Sequence, residues 1–114
     1  MVVATNDPTA HAEILAIRRA SKELNSFDLS SCILFTTCEP CPMCFAAIHW
    51  ARIPRMYYGC TREDAAEIGF SDKYIYDVIQ GTAEKETVRR ECTCRDECRT
   101  AFHRWSEKED KVLY

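Results

Sequence analysis

The chain has 114 residues, 46% of them hydrophobic and 29% charged, values that set a single small globular domain over residues 1–114 and exclude a disordered or collagen-like chain. Its 15 basic and 18 acidic residues leave a net charge of −3, which argues against a constitutive nucleic-acid binder. No run approaches the ~20 consecutive apolar residues of a membrane span, and Met1–Ala10 lacks the pattern of a signal peptide, so the expected address is cytoplasmic.

In chain order, Asp7-Pro8 reads as a helix start, because Asp accepts bonds from free amides and Pro suits the first helical position. From there a helix is expected to about Asn25, with Ala10, Ile14, Ile17 and Leu24 on one face. Ser31–Thr37 reads as a buried strand and a second helix follows from Cys41, stopping before Pro54. Arg55–Cys60 reads as a strand, Thr61–Ile68 and Lys73–Gln80 as short helices, Thr87–Arg95 as a polar third strand, and Asp96–Lys108 as a closing helix. Helices alternating with short strands imply an α/β sandwich with a partly parallel sheet. A first helix so close to Met1 leaves little upstream chain to cover a sheet edge.

Eight cysteines in a chain without a secretion signal point to metal ligands or apolar core residues rather than a disulfide framework. The decisive pattern is His11-Ala12-Glu13 followed by Pro40-Cys41-Pro42-Met43-Cys44. Both halves fall at helix starts, about 30 residues apart, and H-x-E…P-C-x-x-C is a known signature of zinc-dependent base deaminases. One imidazole and two thiolates supply the three ligands of a catalytic zinc, leaving a position open for water. Cys41 and Cys44 are three apart, so on a first helical turn their sulfurs share a face. His11 and Glu13 are roughly 200° apart around an ideal helix, so they must converge from its end. In that arrangement His11 binds metal while Glu13 stays outside the coordination sphere and moves protons. A zinc clip or a redox pair is the competing reading. Cys92, Cys94 and Cys98 form a second cluster, read as unligated thiols. Glu39 reads either as an acceptor that holds the cysteine loop or as an exposed turn residue.

Asn6–Glu13 and Cys38–Cys44 resemble the guanine and guanosine deaminase branch of the cytidine deaminase-like zinc superfamily. The likeness continues through Ile48–Arg52 and Ile68–Asp72, covers most of residues 6–80, and returns at Trp105 and Tyr114. It implies a three-layer α/β/α cytidine deaminase-like sandwich. It also implies Zn2+ held by His11, Cys41 and Cys44, proton transfer by Glu13, and a purine base or nucleoside contacted by Asp72. A homodimer whose C-terminal tail brings Tyr114 over a neighbouring site is implied as well. Trp50 and Trp105 are candidate stacking surfaces for the base, with core packing as their alternative. Asp72 has helix capping as its alternative.

Family members carry a further segment ahead of the H-x-E helix, the first helix and first two strands, and an asparagine there that holds the base matches no position here. The expected fold is therefore a sandwich lacking those elements. Three accounts stand: a longer protein, a partner that supplies the layer, or an inactive remnant. The leading function is hydrolytic deamination of guanine or guanosine. A tRNA adenosine or cytosine deaminase is the nearest alternative, and a non-catalytic zinc-bound interaction domain is the alternative from another class.

Overall fold

The computed structural model describes residues 1–114. In chain order they form α1 (Val2–Thr5), α2 (Ala12–Glu23), β1 (Ile33–Cys38), α3 (Pro42–Trp50), β2 (Arg55–Cys60), α4 (Arg62–Glu67), α5 (Asp72–Gln80) and α6 (Arg95–Ser106). Contacts divide the residues into two compact units, Met1–Glu84 and Lys85–Tyr114.

In the first unit β1 and β2 pair in parallel, with Phe35 opposite Tyr57 and Thr36 opposite Tyr58. Parallel neighbours need a long connection, and α3 provides it. Gly59 permits the close pairing at the sheet's end, since a Cβ there would lie 2.9 Å from the Thr37 carbonyl oxygen. Strand alternation divides the sheet into two faces. Leu34 is buried and Thr36 and Met56 are half-buried on one face, while Ile33, Phe35 and Tyr57 are exposed on the other. The Phe35 and Tyr57 rings stack there with centroids 5.1 Å apart. The core follows α3: Pro40, Cys41 and Cys44 are buried at its start and Ile48 and Ala51 at its end, where the amide of the fully buried Leu29 donates to the Ala51 carbonyl at 2.9 Å.

The α/β class and the two strands of the parallel pair agree with the sequence expectations to within two residues, but β1 leaves Ile33 and Phe35 exposed where a buried strand is expected, and three further differences bear on the site. The first long helix begins at Ala12, not Asp7. The Asp7 carboxylate instead accepts from the Thr9 amide (2.8 Å) and hydroxyl (2.6 Å), and the chain turns locally before the helix starts. The strand expected at Thr87–Arg95 does not form. This segment has no apolar alternation to bury, and its charges are satisfied locally by the Arg89–Glu91 pair and by Arg90–Glu86 at 2.9 Å. The third difference is at Asp72, which occupies the first position of α5 while Ser71 is the capping residue.

The second unit consists of Lys85–Tyr114, with α6 as its regular element. Cys94 precedes α6 in a left-handed conformation (φ 51°), and Cys92, Cys94 and Cys98 are all exposed.

Candidate metal and catalytic site

His11 is the capping residue of α2 and Cys41 that of α3, yet neither side chain caps its helix. Capping positions ordinarily carry Ser, Thr, Asp or Asn, whose oxygens satisfy free amides. Here the backbone takes the capping conformation while the side chains turn toward each other. The His11 Nδ1 atom lies 3.5 Å from Cys41 Sγ and 3.6 Å from Cys44 Sγ. All three donor atoms fall within 4.8 Å of one another.

These distances test the fit of a metal. Tetrahedral zinc with ordinary Zn–N and Zn–S bonds separates a nitrogen and a sulfur ligand by about 3.6 Å, which both measured separations match. The chemistry of the donors agrees. Cys44 is fully buried, and its thiol is pushed up, first by burial and then by the neighbouring Cys41 and Glu13. A buried pair of thiolates beside a carboxylate needs a cation to neutralise it. The free amides at the start of α3 add a smaller favourable field. His11, Cys41 and Cys44 can therefore hold zinc through three protein ligands, the number found in catalytic rather than structural sites.

Glu13 follows two residues after His11, in the first turn of α2. Because His11 precedes the helix, the two converge from its end, as the spacing required. One Glu13 oxygen lies 3.6 Å from Cys44 Sγ, and the other accepts from the Thr36 hydroxyl at 3.3 Å. Thr36 also reaches the Cys38 carbonyl at 3.1 Å. The carboxylate is thus placed next to the donor triangle without being part of it.

A cavity of about 720 Å³ opens beside these residues, with His11, Glu13, Cys38, Ile68, Phe70 and Asp72 among those that line it. This volume suits a small organic molecule. The structure thus brings Asp72 to the same cavity as His11 and Glu13. Trp50, at the end of α3 and 64% exposed, is not among the lining residues. Trp105 and Tyr114 belong to the second unit, 44% and 73% exposed.

Glu39 takes the first of its two expected roles. Its carboxylate accepts from the Arg62 amide at 2.9 Å and from the Arg62 side chain at 3.2 and 2.7 Å. These bonds hold the Glu39 carboxyl below its ordinary range despite partial burial. Thr36, Arg62 and Tyr76 were not marked by the sequence. They lie outside both motifs, and their partners are 23 to 36 residues distant.

The comparisons with known proteins cover the segment that carries the donor triangle. Residues 1–60 match the model of the cytidine and deoxycytidylate deaminase zinc-binding region. The chain is 45% identical over 113 residues to guanine deaminase of Bacillus subtilis, covering 99% of this chain and 72% of that protein. The X-ray structure of that enzyme superimposes with a TM-score of 0.89, covering 99% of this chain and 72% of the other. A tRNA-specific adenosine deaminase of Agrobacterium fabrum is 46% identical over 91 residues, covering 73% of this chain and 60% of that protein. With the donor triangle, the neighbouring carboxylate and these similarities together, the chain belongs to the cytidine and deoxycytidylate deaminase zinc-binding family.

Proposed function

We infer that residues 1–114 serve as one zinc-dependent deaminase domain that hydrolyses guanine to xanthine and ammonia, with guanosine as the related nucleoside substrate. The observation that carries the chemistry is the His11–Cys41–Cys44 donor triangle with Glu13 beside it at the cavity. Support for guanine comes from extent: the match to a guanine deaminase runs over 99% of the chain, whereas a similar identity to a tRNA adenosine deaminase runs over 73%. The net charge of −3 also disfavours a polyanionic substrate.

His11, Cys41 and Cys44 would hold the ion, which when bound supplies a Lewis acid that makes water nucleophilic at neutral pH. Glu13 carries the attacking water's two protons in turn, one to the ring nitrogen and one to the departing amino group, so that water's oxygen replaces the amino group on C2 and ammonia leaves. Thr36, which shares its one hydroxyl proton between a Glu13 oxygen and the Cys38 carbonyl, leaves the other Glu13 oxygen toward the donor triangle. Asp72 accepts from a purine N–H and fixes the ring's orientation, an assignment supported by its place on the cavity wall.

Tyr114 is assigned to substrate binding by resemblance and Trp105 as a candidate stacking surface, and a homodimer with exchanged tails accounts for both in the second unit; Trp50, outside the lining of the cavity, is left without a substrate role. The exposure of Phe102, Val112 and Leu113 in that unit supports a tail that covers another surface. No helix is long and apolar enough to cross a membrane. A cytoplasmic setting is proposed because two thiolate ligands persist best under reducing conditions.

Ammonia release measured on guanine, guanosine, adenine and cytosine tests the reading. Turnover confined to guanine or guanosine supports it. Preference for adenosine in tRNA would transfer the chain to the other branch, and stoichiometric zinc without turnover on any base would make it a binding domain. Light scattering with and without residues 110–114 tests the tail, with a dimer that weakens on deletion as the expected result.

A further inference from the structure

The loop that delivers Cys41 is held by groups from two helices outside both sequence motifs. The Tyr76 hydroxyl, from α5, donates to the Pro40 carbonyl at 2.7 Å. The Arg62 side chain, from the start of α4, grips Glu39 through two nitrogens, and its guanidinium lies 4.0 Å over the Tyr76 ring. The Glu39 amide in turn donates to the Cys60 carbonyl at 2.7 Å.

The local backbone shows why this matters. Pro40 and Pro42 fix φ on either side of Cys41, and a residue before proline is confined to extended ψ, which Cys41 obeys with ψ 166°. The remaining freedom is rotation of the Pro40–Cys41 peptide plane, which would swing the Cys41 Cβ and carry Sγ away from the donor triangle. The carbonyl of that plane is the one Tyr76 holds. Arg62 supports the arrangement from both sides, stacking on the Tyr76 ring and binding Glu39 one residue before Pro40.

We propose that Tyr76 and Arg62 are positioning residues that fix Cys41 Sγ for metal binding by holding the peptide plane before it. The inference rests on the zinc reading above. Hydrogen bonds around metal ligands commonly tune affinity by 10–100-fold on substitution, and a clamp on the ligand's own backbone belongs to that class.

The test is Tyr76→Phe, which removes only the hydroxyl and keeps the ring beneath Arg62. Zinc release to a chromophoric chelator should accelerate by about tenfold. The cobalt(II)–thiolate absorption of the substituted protein should shift, because the Cys41 sulfur no longer occupies one position. In turnover, kcat should fall while KM stays near its original value. Leu29→Val, at a fully buried site whose amide bonds to Ala51 at the far end of α3, serves as a control for general loss of stability. It should leave both zinc release and the cobalt spectrum unchanged. Equal release rates and identical spectra in Tyr76→Phe and the unmodified protein would overturn the inference, as would an equal acceleration in Leu29→Val. Failure of the unmodified protein to retain zinc at all would overturn the metal reading itself, a distinguishable result.

Discussion

Cys44→Ala gives the most direct measure of the metal's place in the fold. The substitution leaves two donors, His11 Nδ1 and Cys41 Sγ, 3.5 Å apart, and two ligands do not hold zinc against competition. For the unmodified protein, zinc at about a thousand times its Kd stabilises the folded state by about 4 kcal/mol, or about 15 °C in Tm for a chain of this size. The variant should lose nearly all of that shift. A second effect acts without metal: Cys44 is fully buried, and truncating one buried sulfur costs about 1 kcal/mol, or about 4 °C. Little electrostatic relief offsets it, because burial keeps the metal-free thiol protonated. Thermal unfolding of both proteins, with chelator and with zinc, separates the two effects. The expected pattern is a small difference in chelator and a difference several times larger in zinc. An unchanged zinc-induced shift in Cys44→Ala would refute the assignment of this residue as a ligand.

Glu13→Gln should keep zinc while lowering ammonia release by about 10²–10⁴-fold, since the amide preserves shape and removes the proton acceptor; metal analysis and turnover on the same sample check it. Asp72→Asn should leave metal content and Tm unchanged and reduce kcat/KM on guanine by about hundredfold, because a buried N–H loses its charged acceptor. Asp28 is held at about 2, against an ordinary 3.8, by hydrogen bonds from Ser30 and then Arg52. A carboxyl with a lowered folded pKa contributes stability that is present above pH 3.8 and lost as pH falls toward 2. In chelator, the Tm of Asp28→Asn should therefore decline less steeply than that of the unmodified protein across that window.

The chemistry-bearing residues were legible because each half of the motif is local. Cys41 and Cys44 need only a shared first turn, and His11 and Glu13 need only a helix end between them, so spacing alone specifies both arrangements. The same holds for β2, where a short β-forming run ends at a helix-capping Thr61, and for α5, closed by Gly81 in the left-handed region (φ 77°). Local reasoning failed where two local solutions competed. Asp7 is a good helix cap by residue type, but its bonds to Thr9 complete a turn first, and the capping position passed to His11. Thr87–Arg95 carries β-forming residues, but a strand also requires a neighbour and a face to bury, and Arg89 and Arg90 pair instead with the nearby Glu91 and Glu86. What only the tertiary structure decided are the contacts that give the motif its precision: Thr36 on Glu13, Arg62 on Glu39 and Tyr76 on Pro40, joined across 23, 23 and 36 residues. Periodicity places each of these residues on its own element. Only the packing of β1, α4 and α5 around the cysteine loop brings a hydroxyl within 2.7 Å of one particular carbonyl, because side-chain hydrogen bonds depend on distances set by the whole fold and not by neighbours in the chain.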